Sequence, residues 1–238
     1  MIEYAGISSE DVRVVVEHYP RRIVPQRRVR VTSIPGRNGD LIEDLGAYEG
    51  YLQPYDIYVS AEAYGLPRVA RRAADWLALP RGYQKLYDSY EADSYRRAIY
   101  EGPADLENVL NLFGRATITF RCDPRRFMLI GDQPLEITES GYVLQNPTEH
   151  TALPLIRIKG SGTGAVEVGG VTITLTAIPD GLTVDSELMD TYATNPNAAQ
   201  YVAFTPAHVY PTLPPGETTI NFSGGVTGLE IIPRWWHL

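Results

Sequence analysis

The stretch Ile34-Pro35-Gly36-Arg37-Asn38-Gly39-Asp40 places two reverse turns in succession between segments that alternate apolar and polar residues. Pro35-Gly36 favours a type II turn, because proline holds φ near about −65° and glycine takes positive φ without steric cost. Asn38-Gly39 favours a type I′ turn, in which both central residues have positive φ. Such a backbone more often positions a strand edge, a loop or a neighbouring subunit than a reacting atom.

The segments around these turns predict a mainly β protein. Valines alternate with polar residues at positions 12, 14 and 16 and at 29 and 31, and Ile57 and Val59 continue the pattern, which is typical of half-buried strands with one solvated face. One short amphipathic helix is predicted after Leu66, ending before Pro80. Its apolar positions have helical spacing and are Val69, Ala73, Trp76 and Leu77.

Two segments that follow the helix allow more than one interpretation. Residues 83–103 carry tyrosines at 83, 87, 90, 95 and 100, which suit either a contact surface or the margin of a sheet. Residues 105–113 fit a helix through Leu106, Val109, Leu110 and Phe113, and a strand through Leu106, Leu110 and Leu112. Cys122 lies on the apolar face of a strand that follows.

Charge is distributed unevenly along the 238 residues and predicts two domains. The formal net charge is −8, and residues 1–134 hold 18 Lys and Arg against 19 Asp and Glu, whereas residues 135–238 hold 3 against 10. We therefore expect an N-terminal β domain over 1–134 and a second β domain over 135–238. In the second, Gly169-Gly170 predicts a hairpin turn, and residues 182–184, 220–222 and 229–231 predict short strands at the spacing of a sandwich.

Composition limits the environment and the partners. No run of 18 or more apolar residues predicts a membrane span, and Met1-Ile2-Glu3-Tyr4 lacks the basic and apolar regions of a signal peptide. Cys122 is the only cysteine, which agrees with synthesis in the reducing cytosol. Arginines cluster at 21, 22, 27, 28, 30 and 37, but without a basic helix or an aromatic platform they are more simply strand residues facing acids than a nucleic-acid site.

No group of residues predicts catalysis, a cofactor or a metal. The histidines at 18, 150, 208 and 237 lack the spacing of metal ligands, and Cys122 is more simply a packed thiol than a nucleophile. Asp185 and Glu187 could serve a glycosidase, although a solvated strand edge explains them more simply. Gly160-Ser161-Gly162-Thr163-Gly164 lacks the lysine and helix of a phosphate loop, which favours a turn.

Several motifs, taken in order, resemble the distal tail protein of long-tailed, non-contractile bacteriophages and their prophage relatives. In the first half they are the stretch at 34–40, Ala-Asp-Trp-Leu at 74–77, Lys-Leu-Tyr-Asp at 85–88 with Tyr95, and Phe-Arg-Cys-Asp-Pro at 120–124. In the second half they are Asn-Pro at 146–147, Pro154, residues 158–160, Asp-Ser at 185–186, Leu-Pro-Pro-Gly at 213–216 and Arg-Trp-Trp at 234–236. The similarity covers essentially the whole chain.

The resemblance implies a fold and a place in the virion. It implies an N-terminal β domain with one short α-helix and a β-hairpin, whose copies close into a ring of six, and a C-terminal galectin-like β-sandwich. The ring joins the tail tube protein to the tail-tip or tail-associated lysin protein and, in some phages, to receptor-binding proteins. DNA only passes through its lumen, for which we expect a neutral or acidic lining and not Arg21, Arg22, Arg27 and Arg28 without acidic partners.

In this context the residues Pro35, Gly36, Arg37, Asn38, Gly39 and Asp40 become the candidate assembly loop, and Arg37 is expected to pair with an acid. We expect a structural virion protein at the distal end of the tail, synthesised in the host cytoplasm. The alternative is a carbohydrate-binding module in which Trp235 or Trp236 stacks on sugars, although adjacent strand residues point to opposite faces. An enzyme such as a wall hydrolase ranks last, because no residues support one.

Overall fold

A computed structural model describes residues 1–60, 65–102, 107–109, 113–194 and 198–238. The chain divides into two compact units, one formed by Met1–Arg126 with Leu238 and the other by Phe127–His237. Strands dominate both units, so the predicted mainly β fold is confirmed. The domain division after residue 134 stays a prediction. Within the described ranges, no helix has the length and apolar character needed to cross a membrane.

The first unit is built on one large sheet, one helix and a separate hairpin. Its described strands are β1 (Ile2–Tyr4), β2 (Ile7–Ser8), β3 (Val14–Val16), β4 (Arg27–Thr32), β5 (Leu41–Tyr48), β6 (Tyr51–Ser60), β7 (Gln84–Asp88), β8 (Ser94–Tyr100), β9 (Glu107–Val109) and β10 (Phe113–Met128), and its helix is α1 (Leu66–Ala78). The sheet order is β2-β1-β7-β8-β10-β6-β3, with β9 paired to β10. Strands β4 and β5 form a two-stranded sheet of their own.

The ambiguous segment 105–113 is only partly described. Glu107–Val109 form β9 and Phe113 begins β10, so the strand interpretation is confirmed at these positions. Residues 105, 106 and 110–112 lie outside the described part of the chain. Strand β10 then pairs antiparallel with β6, from Phe113 opposite Ser60 to Cys122 opposite Tyr51.

Helix α1 covers the apolar face of the large sheet. It begins at Leu66, one residue before the predicted start, and it has the predicted proline in its first turn. Its buried residues are Leu66, Val69, Ala73, Trp76 and Leu77. These side chains pack in one core with the inward residues of β6, such as Ile57 and Val59. The indole nitrogen of Trp76 donates a hydrogen bond to the carbonyl of Tyr4 over 3.2 Å, which fixes the helix on β1.

The second unit holds its own sheet and apolar core. Its described elements are the 3₁₀ helices Leu129–Asp132 and Ala198–Tyr201 and the strands β11 (Leu135–Ile137), β12 (Tyr142–Asn146), β13 (Leu155–Val168), β14 (Val171–Leu175), β15 (Thr183–Asp185), β16 (Asp190–Tyr192), β17 (Val202–Thr205), β18 (Gly216–Ile232) and β19 (Trp236–His237). The order β11-β18-β13-β14-β17 runs through the sheet, with β12 beside β18 and the pair β15–β16 beside β13. The predicted turn at Gly169-Gly170 joins β13 to β14 and is confirmed.

One prediction for this unit is wrong in extent. The two short strands predicted at 220–222 and 229–231 are parts of a single strand, β18. Gly224 and Gly225, between the two predicted strands, lie where β18 shifts register against β13, between Lys159 and Gly164. A side chain on Gly225 would meet the carbonyl oxygen of Ser161 at only 1.8 Å. These glycines therefore allow two backbones to approach within a continuous ladder, and they do not end the strand.

Candidate assembly surface

The predicted turn segment connects β4 to β5 in a hairpin that stands outside the large sheet. The two strands pair antiparallel from Arg27 opposite Tyr48 to Thr32 opposite Leu41. Every residue from position 26 to position 46 is exposed. An isolated two-stranded hairpin is marginally stable in water, because it buries little apolar surface. The hairpin is therefore the part of the first unit with the least cover from its own chain.

The turn itself follows one of the two predicted geometries. Gly36 has φ of +83°, and the amide of Arg37 donates to the carbonyl of Ile34 over 3.1 Å, which confirms the type II turn at Pro35-Gly36. Gly39 has φ of +78°, but Asn38 is not left-handed, so the predicted type I′ turn at Asn38-Gly39 is wrong. A longer loop removes the need for two successive left-handed residues, because it does not have to close the hairpin within two positions.

One face of the hairpin carries a row of apolar side chains. Val29 and Val31 share a face because strand residues alternate, and the register places Ile42 opposite Val31 on that face. Val31 is 55% exposed and Ile42 is 66% exposed. Val29 on the same face is 39% exposed, whereas Leu41, opposite Thr32, is exposed on the other face. An exposed apolar row on a strand pair is typical of an interaction surface.

Ion pairs across the two strands neutralise the arginines of the hairpin. Arg27 lies 2.5 Å from Asp44, and Arg30 lies 3.0 Å from Glu43. A hydrogen bond from the amide of Gly46 and a second from Arg27 hold the pKa of Asp44 below its ordinary value. Arg37 differs, because its guanidinium has no hydrogen-bond or ion-pair partner within the described residues. Its predicted acid is therefore absent from this part of its own chain.

The strap, defined as residues 17–26, leads from β3 to the hairpin without forming a strand. Side-chain contacts, and not the hydrogen bonds of a strand ladder, hold the strap against the rest of the first unit. The contacts are Gln53 Nε2 to the carbonyl of Arg21 at 3.2 Å, Arg126 Nη2 to the carbonyl of Ile23 at 3.1 Å, Arg22 Nη1 to Glu91 Oε1 at 3.6 Å, and the ring of Tyr19 on that of Tyr90 at 4.1 Å. The base of the hairpin is thus positioned by the core of the first unit.

Beneath the strap lies a buried ion cluster formed by Asp88, Glu91, Arg96 and Arg126. Arg96 donates to Glu91 over 2.5 Å and lies 3.7 Å from Asp88, whose other contacts include the hydroxyl of Tyr55 at 3.0 Å. Arg126 Nε lies 3.2 Å from Glu91 Oε2. Arg126 is fully buried, and its Nη1 has no hydrogen-bond partner in the described residues. Each carboxylate therefore compensates charges that water cannot reach.

Ionisation in this cluster is set by burial and by the neighbouring charges. Burial raises the pKa of Tyr55 well above its ordinary value. Burial by itself lowers the pKa of Arg96, but Tyr55, Tyr51 and Glu91 outweigh it and the pKa is raised. Both groups therefore keep their ordinary charge at neutral pH. The cluster is suited to fixing a shape, because none of these shifts brings a proton transfer near pH 7.

The residues considered for chemistry in the sequence are engaged in structural contacts. Cys122 is fully buried, and burial raises the pKa of its thiol to about 12, so it is not a nucleophile at neutral pH. Asp185 receives two hydrogen bonds from Arg234, at 2.7 and 2.9 Å, and Glu187 lies 3.5 Å from the same guanidinium. Within the described ranges, no three His, Cys, Asp or Glu residues gather as metal ligands would.

The two C-terminal tryptophans are both held by contacts within the chain, Trp235 just before β19 and Trp236 at its start. Trp235 is buried in the core of the second unit. Trp236 stacks on the ring of His150 at 4.2 Å, and its indole nitrogen donates to the carbonyl of Thr151. Trp235 is therefore not accessible to a sugar, and one face of Trp236 is already covered.

The tyrosine segment contributes more to the sheet than to the surface. It forms the hairpin of β7 and β8, in which Tyr87 lies opposite Tyr95. Tyr95 is buried, whereas Tyr83 is 54% exposed. Sequence reasoning missed both the buried ion cluster and the strap. The only local signal was the presence of Asp88, Glu91 and Arg96 close together in the sequence, since Arg126 joins them through sheet pairing.

Comparison of the structure with solved proteins gives one similarity that carries weight. The crystal structure of the SPP1 Dit (gp 19.1) protein, described as a paradigm of the hub adsorption apparatus in phages infecting Gram-positive bacteria, superposes with a TM-score of 0.74 at 17% identity, over 100% of this chain and 98% of that one. The phage p2 baseplate in its activated conformation with Sr is similar at a TM-score of 0.48 and 11% identity, over 92% and 90% of the chains.

No protein-family model and no curated protein sequence matches the chain. At 17% identity the likeness to SPP1 Dit is one of fold. The structural similarity covers both units, because nearly all residues of both chains are aligned. The resemblance to a siphophage distal tail protein that the sequence motifs indicated is confirmed at the level of the fold.

Proposed function

We propose that this chain is a distal tail hub protein of a long, non-contractile phage tail or of a related prophage. Six copies close into a ring that joins the tail tube to the tail tip and the host-adsorption apparatus. The observation that carries the proposal is the likeness to SPP1 Dit over the whole length of both chains, at a TM-score of 0.74. A structural match that covers both units in the same chain order is more specific than a match of either β unit alone.

The exposed hairpin supports assembly from copies of this chain. Its apolar face around Val31 and Ile42 has no cover within the described residues. In a closed ring each subunit presents one surface to a different surface of the next, so a hairpin projecting from one copy is covered by its neighbour. The candidate loop at 34–40 then lies at this contact, and Arg37 finds its acid on the neighbouring copy.

Charge on the hairpin and the strap supports a lumen through which DNA slides without binding. Arg22, Arg27 and Arg28 each have an acidic partner, namely Glu91, Asp44 and Glu49, whereas Arg21 has none within the described residues. A lining in which most arginines are paired with acids attracts few phosphates, because affinity for DNA depends on unpaired basic groups. The tail tube protein and the tail-tip or lysin protein are the partners on the two sides of the ring.

The proposed role is structural, and the chemistry of the chain supports it. The thiol of Cys122 is buried and the carboxylate of Asp185 is held by Arg234, so neither is positioned to react with a substrate. In such a protein the exposed surfaces carry the function. The proposal is therefore tested by measuring assembly.

Negative-stain microscopy of the purified chain tests the proposal. We expect closed rings with six-fold symmetry for the natural sequence. The double substitution Val31→Asp and Ile42→Asp should abolish the rings while leaving the circular dichroism spectrum unchanged, because both side chains are exposed in the single chain. Leu79→Asp is the matched control, since Leu79 is 72% exposed and lies outside the hairpin. Rings that survive the double substitution would show that the hairpin is not the contact.

A further inference from the structure

The connection between β15 and β16, residues 186–189, presents two apolar side chains to water and is called the 186–189 tip. Leu188 is 68% exposed and Met189 is 69% exposed. Reverse turns favour Gly, Asn, Asp and Ser, so two large apolar residues at a turn are unusual. Nothing in the ring contact proposed above uses this tip, which belongs to the second unit.

The backbone of the tip is held in a conformation that its residues disfavour. Met189 has φ of +50°, and Arg234, which supports the tip, has φ of +57°. Neither residue is a glycine, and left-handed non-glycine residues persist only where the surrounding structure enforces them. Such strain gathers at functional sites, because selection for stability alone would place glycine there.

A buried ion pair supplies that enforcement. Asp185 is 2% exposed and accepts both hydrogen bonds from Arg234. Its Oδ1 also accepts the amides of Glu187 and Leu188, at 3.0 and 3.2 Å. The amide of Ser186 donates to the carbonyl of Pro154 over 3.0 Å. The backbone of the tip is therefore anchored at successive positions, so it has little backbone entropy left to lose on binding.

The charge around the tip selects the class of partner. From Phe127 to His237 the chain has three basic residues, and each is paired with an acid: Arg157 with Glu230, Lys159 with Glu136, and Arg234 with Asp185. The remaining surface has surplus acid, and exposed Asp190 directly follows the tip. A second copy of this unit and an anionic membrane are both repelled by that charge, whereas a protein surface with basic groups is attracted.

We propose that the 186–189 tip is a docking knob for a different protein, which receives Leu188 and Met189 in an apolar pocket with a basic rim. The knob supplies the buried anchors, and the surrounding acids steer and orient the partner. This site goes beyond the proposed ring contact, but the search for its partner rests on the proposed function, because the partner is sought among the structural proteins of the same phage.

Site-specific photocrosslinking identifies the occupant. The full chain carries a benzophenone amino acid at position 188 and is expressed together with the structural proteins encoded by the same phage. The expected product is a crosslink to one other protein, whose crosslinked peptide lies beside Lys or Arg residues. A crosslink to a second copy of this chain alone, or no crosslinked protein, overturns the proposal.

Titration of that purified protein against the full chain then measures what the tip contributes. Leu188→Asp should weaken binding by about tenfold or more, and added salt should weaken binding to the natural sequence. Met189→Gly should weaken binding while leaving the melting temperature unchanged or higher, because glycine relieves the positive φ. Val209→Asp, at an exposed apolar position elsewhere in the unit, is the matched control. Unchanged affinity for Leu188→Asp, or no dependence on salt, contradicts the docking knob.

Discussion

The hairpin of β4 and β5 and the strand β6 that follows it both carry aliphatic side chains on one face, yet these faces lie in opposite environments. Ile42 in the hairpin is 66% exposed, whereas Ile57 in β6 is 3% exposed. The difference is a second layer: helix α1 covers β6 and no described element covers the hairpin. An amphipathic strand pair without a layer of its own is a surface prepared for another molecule.

The largest expected effect separates buried from exposed ion pairs. Glu91→Ala leaves Arg96 and Arg126 buried without their shared carboxylate and should lower the free energy of unfolding by about 3–5 kcal/mol. Arg30→Ala, which breaks the exposed pair with Glu43, should lower it by at most about 1 kcal/mol. Urea denaturation at dilution that favours the single chain measures both. Equal losses for the two variants would contradict the division between core and hairpin.

The next effect compares the same substitution in the two strands. Ile57→Ala should lower the free energy of unfolding by about 2–5 kcal/mol, because it opens a cavity in the core. Ile42→Ala should change it by no more than about 0.5 kcal/mol in the single chain. Assembly should respond in the opposite sense, with Ile42→Ala raising the concentration needed to form the oligomer. A large loss of single-chain stability for Ile42→Ala would show that the hairpin packs on its own unit.

A smaller effect is expected at the glycines of the loop. A side chain at Gly36 or Gly39 meets no atom within 4 Å, so the penalty comes only from the positive φ. Gly36→Ala and Gly39→Ala should each lower the stability of the hairpin by about 1 kcal/mol. Asn38→Ala is the control, because Asn38 is not left-handed. Amide hydrogen exchange should show faster opening of β4 and β5 with unchanged protection in β6; loss of protection throughout the sheet would contradict this.

The smallest effect is expected in the acid dependence of stability. Burial raises the pKa of Asp185, but the hydrogen bonds from Arg234 and from backbone amides outweigh it, so the folded pKa lies below its ordinary value. The carboxylate therefore stabilises the fold above the unfolded pKa of about 3.9, and this contribution is lost as the pH falls through the lower folded pKa. The free energy of unfolding, measured from pH 7 to pH 3, should depend less on pH in Asp185→Asn than in the natural sequence.

Asp44 on the hairpin is the natural comparison for that measurement. Its pKa is also lowered, by the hydrogen bond from the amide of Gly46 and by Arg27, but the Arg27 pair is exposed and salt screens it. The effect of Asp44→Asn on the acid dependence should therefore shrink at high salt, whereas the effect of Asp185→Asn persists. Equal sensitivity of the two aspartates to salt would mean that the Asp185 pair is not shielded by the fold.

Local sequence predicted the strands and the helix, but it did not predict which strands a second layer would cover. Helix α1 and four of its five buried residues followed from spacing, and the turn at Pro35-Gly36 followed from the φ preferences of its two residues. Alternation in β4 identified the strand, yet it could not show that Val31 lacks a second layer, since layers are made by distant segments. The same reason hid the buried ion cluster, which needs sheet pairing to bring Arg126 to Glu91.

The two exposed apolar features also differ in what sequence could reveal. The loop at 34–40 can be recognised from its proline and glycines, which are close together in the sequence. The 186–189 tip depends on Asp185 and Arg234, which are far apart in the sequence and meet only in the folded unit. Asp185 and Glu187, the candidate pair for hydrolysis, thus help to hold an exposed apolar turn.

The mass of the purified chain across a concentration series tests the central claim most directly. A hub ring predicts a native mass six times the 26.5 kDa of the single chain, together with its loss when Val31 and Ile42 are both replaced by aspartate. A mass that stays at 26.5 kDa at every concentration, with the hairpin intact, would contradict the account.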